Sequence, residues 1–229
     1  MIGMENNNPI TEVNNDDLKF IPKTFLWMFL GLLSTAIVSF YTYSSELYLQ
    51  IFSGGMFEGL LIAELVVVLL FSFLFKRLSP TFVGILYFLY AAINGVTLSC
   101  IFVLFELNSI VLLFGATAAL FGTFALIGYK TNKDLSNWRS FLFGTLIIGI
   151  ILSIINLFLG NSMLDIVIDW AMLFLFFGIT MYDMNKIKQL STIPEIDQSK
   201  LYIYGAMQLY LDFINIFLRI LSLFGKRRK

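Results

Sequence analysis

The sequence predicts an all-α polytopic membrane protein with seven transmembrane helices. Of its 229 residues, 59% are hydrophobic and only 13% are charged, whereas a typical soluble domain has about 25% charged residues. The mean hydropathy is +0.86. Because these few charges could not cover the surface of a soluble protein of this size, we expect lipid to surround most of the chain.

Seven apolar segments approach the roughly 20 residues that a helix needs to cross a bilayer. Because short connections join them, consecutive helices are expected to run antiparallel in one bundle. Residues 1–22 are predicted to be a disordered polar tail, residues 23–225 the transmembrane domain and residues 226–229 a basic C-terminal tail. The seven segments are Thr24–Tyr43, Phe57–Phe75, Phe82–Phe105, Ile110–Tyr129, Phe141–Leu159, Leu164–Tyr182 and Leu201–Phe224.

Basic residues predict the orientation. Lys and Arg precede the first helix and follow the second, fourth and sixth helices, but they are absent from the three loops between. By the positive-inside rule the N-terminus is expected to be cytoplasmic. The amino-acid composition favours a bacterial inner membrane. The tail Lys226-Arg227-Arg228-Lys229 disagrees, because seven crossings leave it outside. We favour a complete crossing of the seventh segment, and the alternative is a re-entrant or interfacial segment. The residues that set the orientation are Lys19, Lys23, Lys76, Arg77, Lys130, Lys133, Arg139, Lys186, Lys188 and Lys200.

The composition excludes several functions. The chain has no His and a single Cys, Cys100, which excludes zinc sites built from His and Cys, Ser–His or Cys–His nucleophile pairs, and internal disulfides. The net charge is zero and no basic patch runs along the chain, so a nucleic-acid partner is not expected. No pattern for a haem, flavin or nucleotide is present, so no tightly bound cofactor is expected.

Ionisable residues inside the apolar segments indicate function, because burying them in lipid is costly. Four such residues are Glu64, Asp183, Asp212 and Arg219. Asp212 and Arg219 belong to a set that shares one face of the seventh helix, which we expect to face other helices or water at the centre of the bundle. The alternative is an amphipathic helix on the membrane surface. The set is Gln208, Asp212, Asn215, Arg219 and Ser222.

Further polar residues are candidates for an ion pathway. Glu64 is interpreted as a cation ligand or proton carrier, or alternatively as a carboxyl that is protonated or bonded to a polar neighbour such as Asn94. Asn94, Asn215 and Arg219 are the other pathway candidates. An acidic mouth is predicted at the end opposite the basic loops, although loop carboxylates are often simply solvated. Its members are Glu46, Glu58, Glu106, Asp165 and Asp169.

Four motifs together resemble the bacterial branch of the Bax inhibitor-1 family, also called the transmembrane Bax inhibitor motif family. They are AAINGVTLS at 91–99, GYKTNKDLS at 128–136, MYDMNKIK at 181–188 and LYLDFINIF at 209–217. The resemblance implies six helices around a central seventh and a pH-dependent leak of calcium ions. In this resemblance Asp183 and Asp212 correspond to the paired aspartates of the family, and Glu64 corresponds to its helix-two glutamate. Arg77 corresponds to a basic residue that can pair with the two aspartates.

The aspartate pair suggests a mechanism. Two carboxylates about 4 Å apart repel each other by roughly 4 kcal/mol at an effective dielectric constant near 20, so the pair is expected to share one proton and to titrate as a unit. Loss of that proton would turn an attraction between helices six and seven into repulsion. Calcium is a suitable permeant ion because it prefers oxygen ligands, and Asp183 and Asp212 are its candidate ligands. The structural alternative is that the pair only locks the two helices together.

The sequence therefore favours a pH-sensitive calcium leak channel in the lipid bilayer. The alternative is a non-transporting regulator that binds a membrane protease or another membrane protein, with Asn6–Lys19 as the contact; the resemblance suggests this function. An enzyme is not expected. Asp183 and Asp212 superficially resemble the catalytic pair of intramembrane aspartyl proteases, but the Gly-x-Gly-Asp sequence of those enzymes is absent.

Overall fold

The helices of the computed structural model follow the seven predicted segments closely. The structure describes residues 15–75, 77–190 and 198–228. In this part of the chain seven helices are long and apolar enough to cross a membrane, which confirms the predicted fold class. They are Lys19–Ser44, Met56–Leu74, Pro80–Leu104, Leu107–Lys130, Ser136–Leu159, Ser162–Leu190 and Gln198–Phe224.

Two of these spans are interrupted, and one connection is itself helical. The third span consists of α4 (Pro80–Leu98) and α5 (Cys100–Leu104), which meet at Ser99, and a 3-10 turn at Ser136–Trp138 precedes α7 (Arg139–Leu159). The short helix α2 (Leu47–Ser53) links the first two spans. The helices are α1 (Asn15–Ser44), α2 (Leu47–Ser53), α3 (Met56–Leu74), α4 (Pro80–Leu98), α5 (Cys100–Leu104), α6 (Leu107–Lys130), α7 (Arg139–Leu159), α8 (Ser162–Leu190) and α9 (Gln198–Phe224).

Two boundaries differ from the prediction. Because α1 begins at Asn15, the part of the predicted disordered tail from residue 15 to residue 22 is helical. Phe20 is buried there against the Tyr202 ring of α9, and this contact outweighs the polar local sequence. Likewise α8 continues to Leu190 because Met184 and Ile187 are buried. Residues 1–14 of the tail, Lys76 and Lys229 lie outside the described residues.

Packing places α9 against α1, α4, α6 and α8, and α3 against α4. The Tyr204 ring of α9 also stacks on Phe71 of α3. The main partner of α7 is α8. The central position of the seventh span, with all six others around it, therefore stays a prediction.

The bundle has two chemically different ends. We call the end where α1 begins the basic end, and the end where α1 finishes the acidic end. α9 starts at the basic end, where Tyr202 packs on Trp27 of α1. It finishes at the acidic end, where Phe224 packs on Trp170 of α8. The seventh span thus runs the length of the bundle, and residues 226–228 lie at the acidic end.

Two of the sequence motifs meet at the basic end. A Cβ built on Gly128 of α6 would lie 2.3 Å from the carbonyl oxygen of Met181, so the backbones of α6 and α8 are in contact there. The Asn185 side chain of α8 donates to backbone carbonyls of the connection that follows α6, at 3.2 Å for Thr131 and 3.3 Å for Lys133. It also accepts from the Leu135 amide. The segment 128–135 is therefore attached directly to α8.

Candidate functional site

The structure brings the two predicted sensor residues together between α8 and α9. Asp183 is 5% exposed and Asp212 is 3% exposed. The Asp183 carboxyl acts electrostatically on that of Asp212, and Thr180, one turn earlier on α8, is a hydrogen-bonding neighbour of the same group. The two helices pack against each other, and both aspartates lie inside the bundle.

Within the described part of the chain, one oxygen of this pair has no donor. Asp212 Oδ2 is completely buried and accepts no hydrogen bond from any described residue. An ionised carboxylate oxygen without a donor is costly to bury, whereas a protonated or proton-sharing carboxyl is not. The geometry therefore favours a proton on the pair.

The described cations near this site do not neutralise the pair directly. Lys186 acts electrostatically on Asp183, but its Nζ lies over the Tyr204 ring, 5.7 Å from the ring centre. Arg77, the predicted latch, is exposed and forms no ion pair with a described carboxylate. The structure does not bring Arg77 to the aspartates, and its role as a latch stays a prediction.

A second polar contact joins α8 and α9 nearer the acidic end. Arg219 Nη1 lies 2.6 Å from Asp169 Oδ1, and Ser222 Oγ donates to Asp169 Oδ2 at 2.5 Å. Asp212, Arg219 and Ser222 thus face α8, as the polar stripe predicts. The sequence did not predict the ion pair itself. Arg219 was predicted to belong to the ion pathway, and Asp169 was predicted to belong to the acidic mouth.

Glu64 belongs to a separate polar network on the opposite side of α9. Thr97 Oγ1 donates to the Glu64 carboxylate at 2.5 Å, and Asn94 is a further hydrogen-bonding neighbour. The Tyr210 hydroxyl donates to Asn94 Oδ1 at 2.9 Å and lies 2.7 Å from Thr35 Oγ1. These contacts give Glu64 the polar partners that its structural alternative requires. The predicted pathway residues did not include Thr35, Thr97 and Tyr210.

Three further candidates have partners of their own. The Asn215 amide donates to the Leu211 carbonyl of its own helix at 2.8 Å. Glu106 pairs with Lys226 at 2.8 Å, and Asp165 accepts from Asn156 at 2.5 Å.

The five residues of the predicted acidic mouth differ in exposure and in partners, and the mouth stays a prediction. Glu46 and Glu58 are exposed, while Glu106, Asp165 and Asp169 each contact a different partner. Among the described residues no group of three or more His, Cys, Asp or Glu side chains could hold a metal ion. Calcium in a tight protein site has about six to eight oxygen ligands. The role of Asp183 and Asp212 as calcium ligands therefore stays a prediction.

These features define an integral membrane protein of seven helical spans with two buried acidic residues facing each other across two helices. Comparison with known proteins identifies its family. The family model described as "Inhibitor of apoptosis-promoting Bax1" matches residues 18–229, and the chain belongs to this Bax inhibitor family.

Bacterial relatives match over almost the whole chain. The inner membrane protein YbhL of Escherichia coli strain K12 is 37% identical over 215 residues, which cover 91% of this chain and 92% of YbhL. A Deinococcus radiodurans protein is 36% identical over 213 residues, covering 91% of this chain and 90% of that protein. A Borreliella burgdorferi protein is 34% identical over 215 residues, covering 92% and 93%. The resemblance seen in the four motifs is thereby confirmed.

Proposed function

We propose that this protein is a pH-sensitive leak channel for calcium ions in a bacterial inner membrane, with its N-terminus in the cytoplasm. A single proton shared by Asp183 and Asp212 holds the channel closed. The observation that supports this most strongly is the buried carboxyl pair across α8 and α9, in which Asp212 Oδ2 has no described donor.

Removal of the proton changes the force between the two helices. Two ionised carboxylates about 4 Å apart repel by roughly 4 kcal/mol at an effective dielectric constant near 20. A repulsion of that size is enough to shift a two-state equilibrium about a thousandfold. Raising the pH therefore favours the state in which α8 and α9 separate around Asp183 and Asp212.

The contacts elsewhere decide where the separation occurs. Near the acidic end, Asp169 and Arg219 hold α8 to α9 by an ion pair that does not depend on the shared proton. The repulsion therefore moves the helices apart toward the basic end. The oxygens of the ionised pair, and those of Glu64 on the other side of α9, are the ligand type that calcium prefers.

Calcium flux into liposomes tests this function. Purified protein is reconstituted with a calcium-sensitive dye inside the vesicles, and influx is followed as the pH is raised from 6 to 8. We expect influx to rise with pH for the unmodified chain. Asp212→Asn and Asp183→Asn remove the second negative charge, so their influx should be low and should not respond to pH. Arg139→Gln, which alters an exposed arginine at the basic end, is the control and should behave like the unmodified chain.

Two results would contradict the proposal. Absence of calcium influx at every pH in a correctly folded protein would favour the regulator that binds a membrane protease. A pH response that survives both Asp183→Asn and Asp212→Asn would show that another group senses the proton.

A further inference from the structure

The C-terminal residues return onto the bundle at the acidic end. We call residues 225–228 the C-terminal strap. The Glu106 amide donates to the Lys226 carbonyl at 2.9 Å, and the Arg228 amide donates to the Leu104 carbonyl at 2.9 Å. Phe105 and Arg227 thus form an antiparallel bridge. The strap is fixed to the corner between α5 and α6 by its backbone.

A glycine allows this close approach. A Cβ built on Gly225 would lie 2.6 Å from the Phe105 ring and 2.3 Å from the Leu221 carbonyl oxygen. One residue further on, the Lys226 amide donates to Ser109 Oγ at 3.0 Å. The sequence immediately after α9 therefore allows the strap to pack against Phe105 at the corner between α5 and α6.

The strap leaves positive charge at the acidic end. Lys226 Nζ lies 2.8 Å from Glu106 Oε1, so these two charges neutralise each other. Arg227 and Arg228 are exposed, and neither forms an ion pair with a described carboxylate. The Arg228 guanidinium donates to the Tyr43 hydroxyl of α1, which holds it beside the bundle.

A cavity of about 390 Å³ lies beside this guanidinium. Its lining includes the aromatic side chains of Phe40, Tyr43, Phe102 and Phe105 together with Arg228. The rings of Tyr43 and Phe102 are stacked with their centres 5.5 Å apart, so the aromatic part of the lining is packed. The cavity combines an apolar surface with a charge of one sign, because Glu106, which also lines it, is neutralised by Lys226.

We propose that the strap and this cavity bind an anionic phospholipid by its phosphodiester headgroup. The Arg228 guanidinium contacts the phosphate, for which its planar fork of donors is suited, and an acyl chain lies against Phe40 and Phe102. The position agrees with this ligand, since a tyrosine at the end of a bundle, here Tyr43, is typical of the headgroup level. The site also gives the basic tail an anionic partner at the end of the bundle where the positive-inside rule predicts few cations.

Lipid binding by the purified full chain tests this site independently of any calcium transport. In a neutral detergent, native mass spectrometry measures the affinity for phosphatidylglycerol and for diacylglycerol with the same acyl chains. Inorganic phosphate serves as a soluble competitor. Arg228→Gln is compared with Arg228→Lys and with Arg139→Gln, which alters an exposed arginine at the basic end. Helical circular dichroism confirms that each variant is folded.

We expect phosphatidylglycerol to bind more tightly than diacylglycerol. Arg228→Gln should weaken phosphatidylglycerol binding at least about tenfold, since a hydrogen bond to a charged group is lost. Arg228→Lys should weaken it less, and Arg139→Gln should leave it unchanged. Unchanged binding in Arg228→Gln, equal binding of diacylglycerol, or an equal loss in Arg139→Gln would overturn the proposal. Displacement of the lipid by inorganic phosphate at equal concentration would show a site for soluble anions instead.

Discussion

The ion pair between Arg219 and Asp169 makes a quantitative prediction about stability. The Arg219→Gln substitution removes the cation that faces Asp169 across the interface of α8 and α9. Removing one partner of a fully buried pair costs about 3–5 kcal/mol because it leaves an uncompensated charge. Here the Arg219 side chain is 27% exposed and the Asp169 side chain 11% exposed, and Ser222 still donates to the carboxylate. We therefore expect a smaller loss, of about 2–3 kcal/mol.

A double-mutant cycle separates the pair from its surroundings. Asp169→Asn is measured alone and together with Arg219→Gln. The free energy of unfolding is obtained in neutral detergent micelles with increasing denaturing detergent, followed by circular dichroism. Because the double variant leaves no unpaired charge, it should be more stable than the sum of the two single losses predicts, by about 1–2 kcal/mol. The control Arg139→Gln, which alters an exposed arginine without a described ion pair, should change stability by less than about 0.5 kcal/mol.

Additive losses would refute this reasoning. If the double variant equals the sum of the single variants to within about 0.5 kcal/mol, Asp169 and Arg219 are not energetically coupled. A loss in Arg219→Gln as small as that in Arg139→Gln would mean that water already screens the pair.

Two other predictions concern the contact and the loop at the basic end. Gly128→Ala places a methyl group 2.3 Å from the Met181 carbonyl and should lower the free energy of unfolding by about 1–3 kcal/mol, whereas Gly122→Ala on the same helix meets open space and should not destabilise. The Ser136 hydroxyl, with the Ser136 amide and the Gln189 side chain, holds the pKa of Asp134 below its ordinary value. The ionised Asp134 carboxylate therefore stabilises the folded state above the ordinary Asp pKa, and this stabilisation is lost as the pH falls through the lowered pKa of Asp134. Carbon-13 NMR titration of the carboxyl should show that Ser136→Ala raises the Asp134 pKa.

The sequence predicted the features that depend on one helix at a time. Long apolar runs identified all seven spans, and acidic side chains inside them identified Asp183 and Asp212. The spacing of Asp212, Arg219 and Ser222 predicted a common polar face, and all three contact or approach acidic residues of α8. Each of these conclusions follows from helical periodicity and the cost of placing charge in lipid.

Most contacts between helices could not be predicted from the periodicity of single helices, and the pairing of Asp183 with Asp212 was implied only by the family resemblance. The pairing of Asp169 with Arg219 depends on the register of two antiparallel helices and on the length of the arginine side chain. The link from Thr35 through Tyr210 to Asn94 joins three helices, and no single periodic pattern shows which faces meet. The start of α1 was missed because the polar local sequence indicated a tail, whereas burial of Phe20 against α9 decides the outcome.

The hydrogen bonds of the Asn185 amide offer a way to measure a movement of α8. It lies two residues beyond Asp183 on α8 and is bonded to the backbone of residues 131 and 133, which belong to the connection between α6 and α7. A tilt of α8 near Asp183 must therefore displace that connection as well. A spin label on the exposed side chain position of Lys133 would report the movement from the aqueous side without altering any residue in the bilayer.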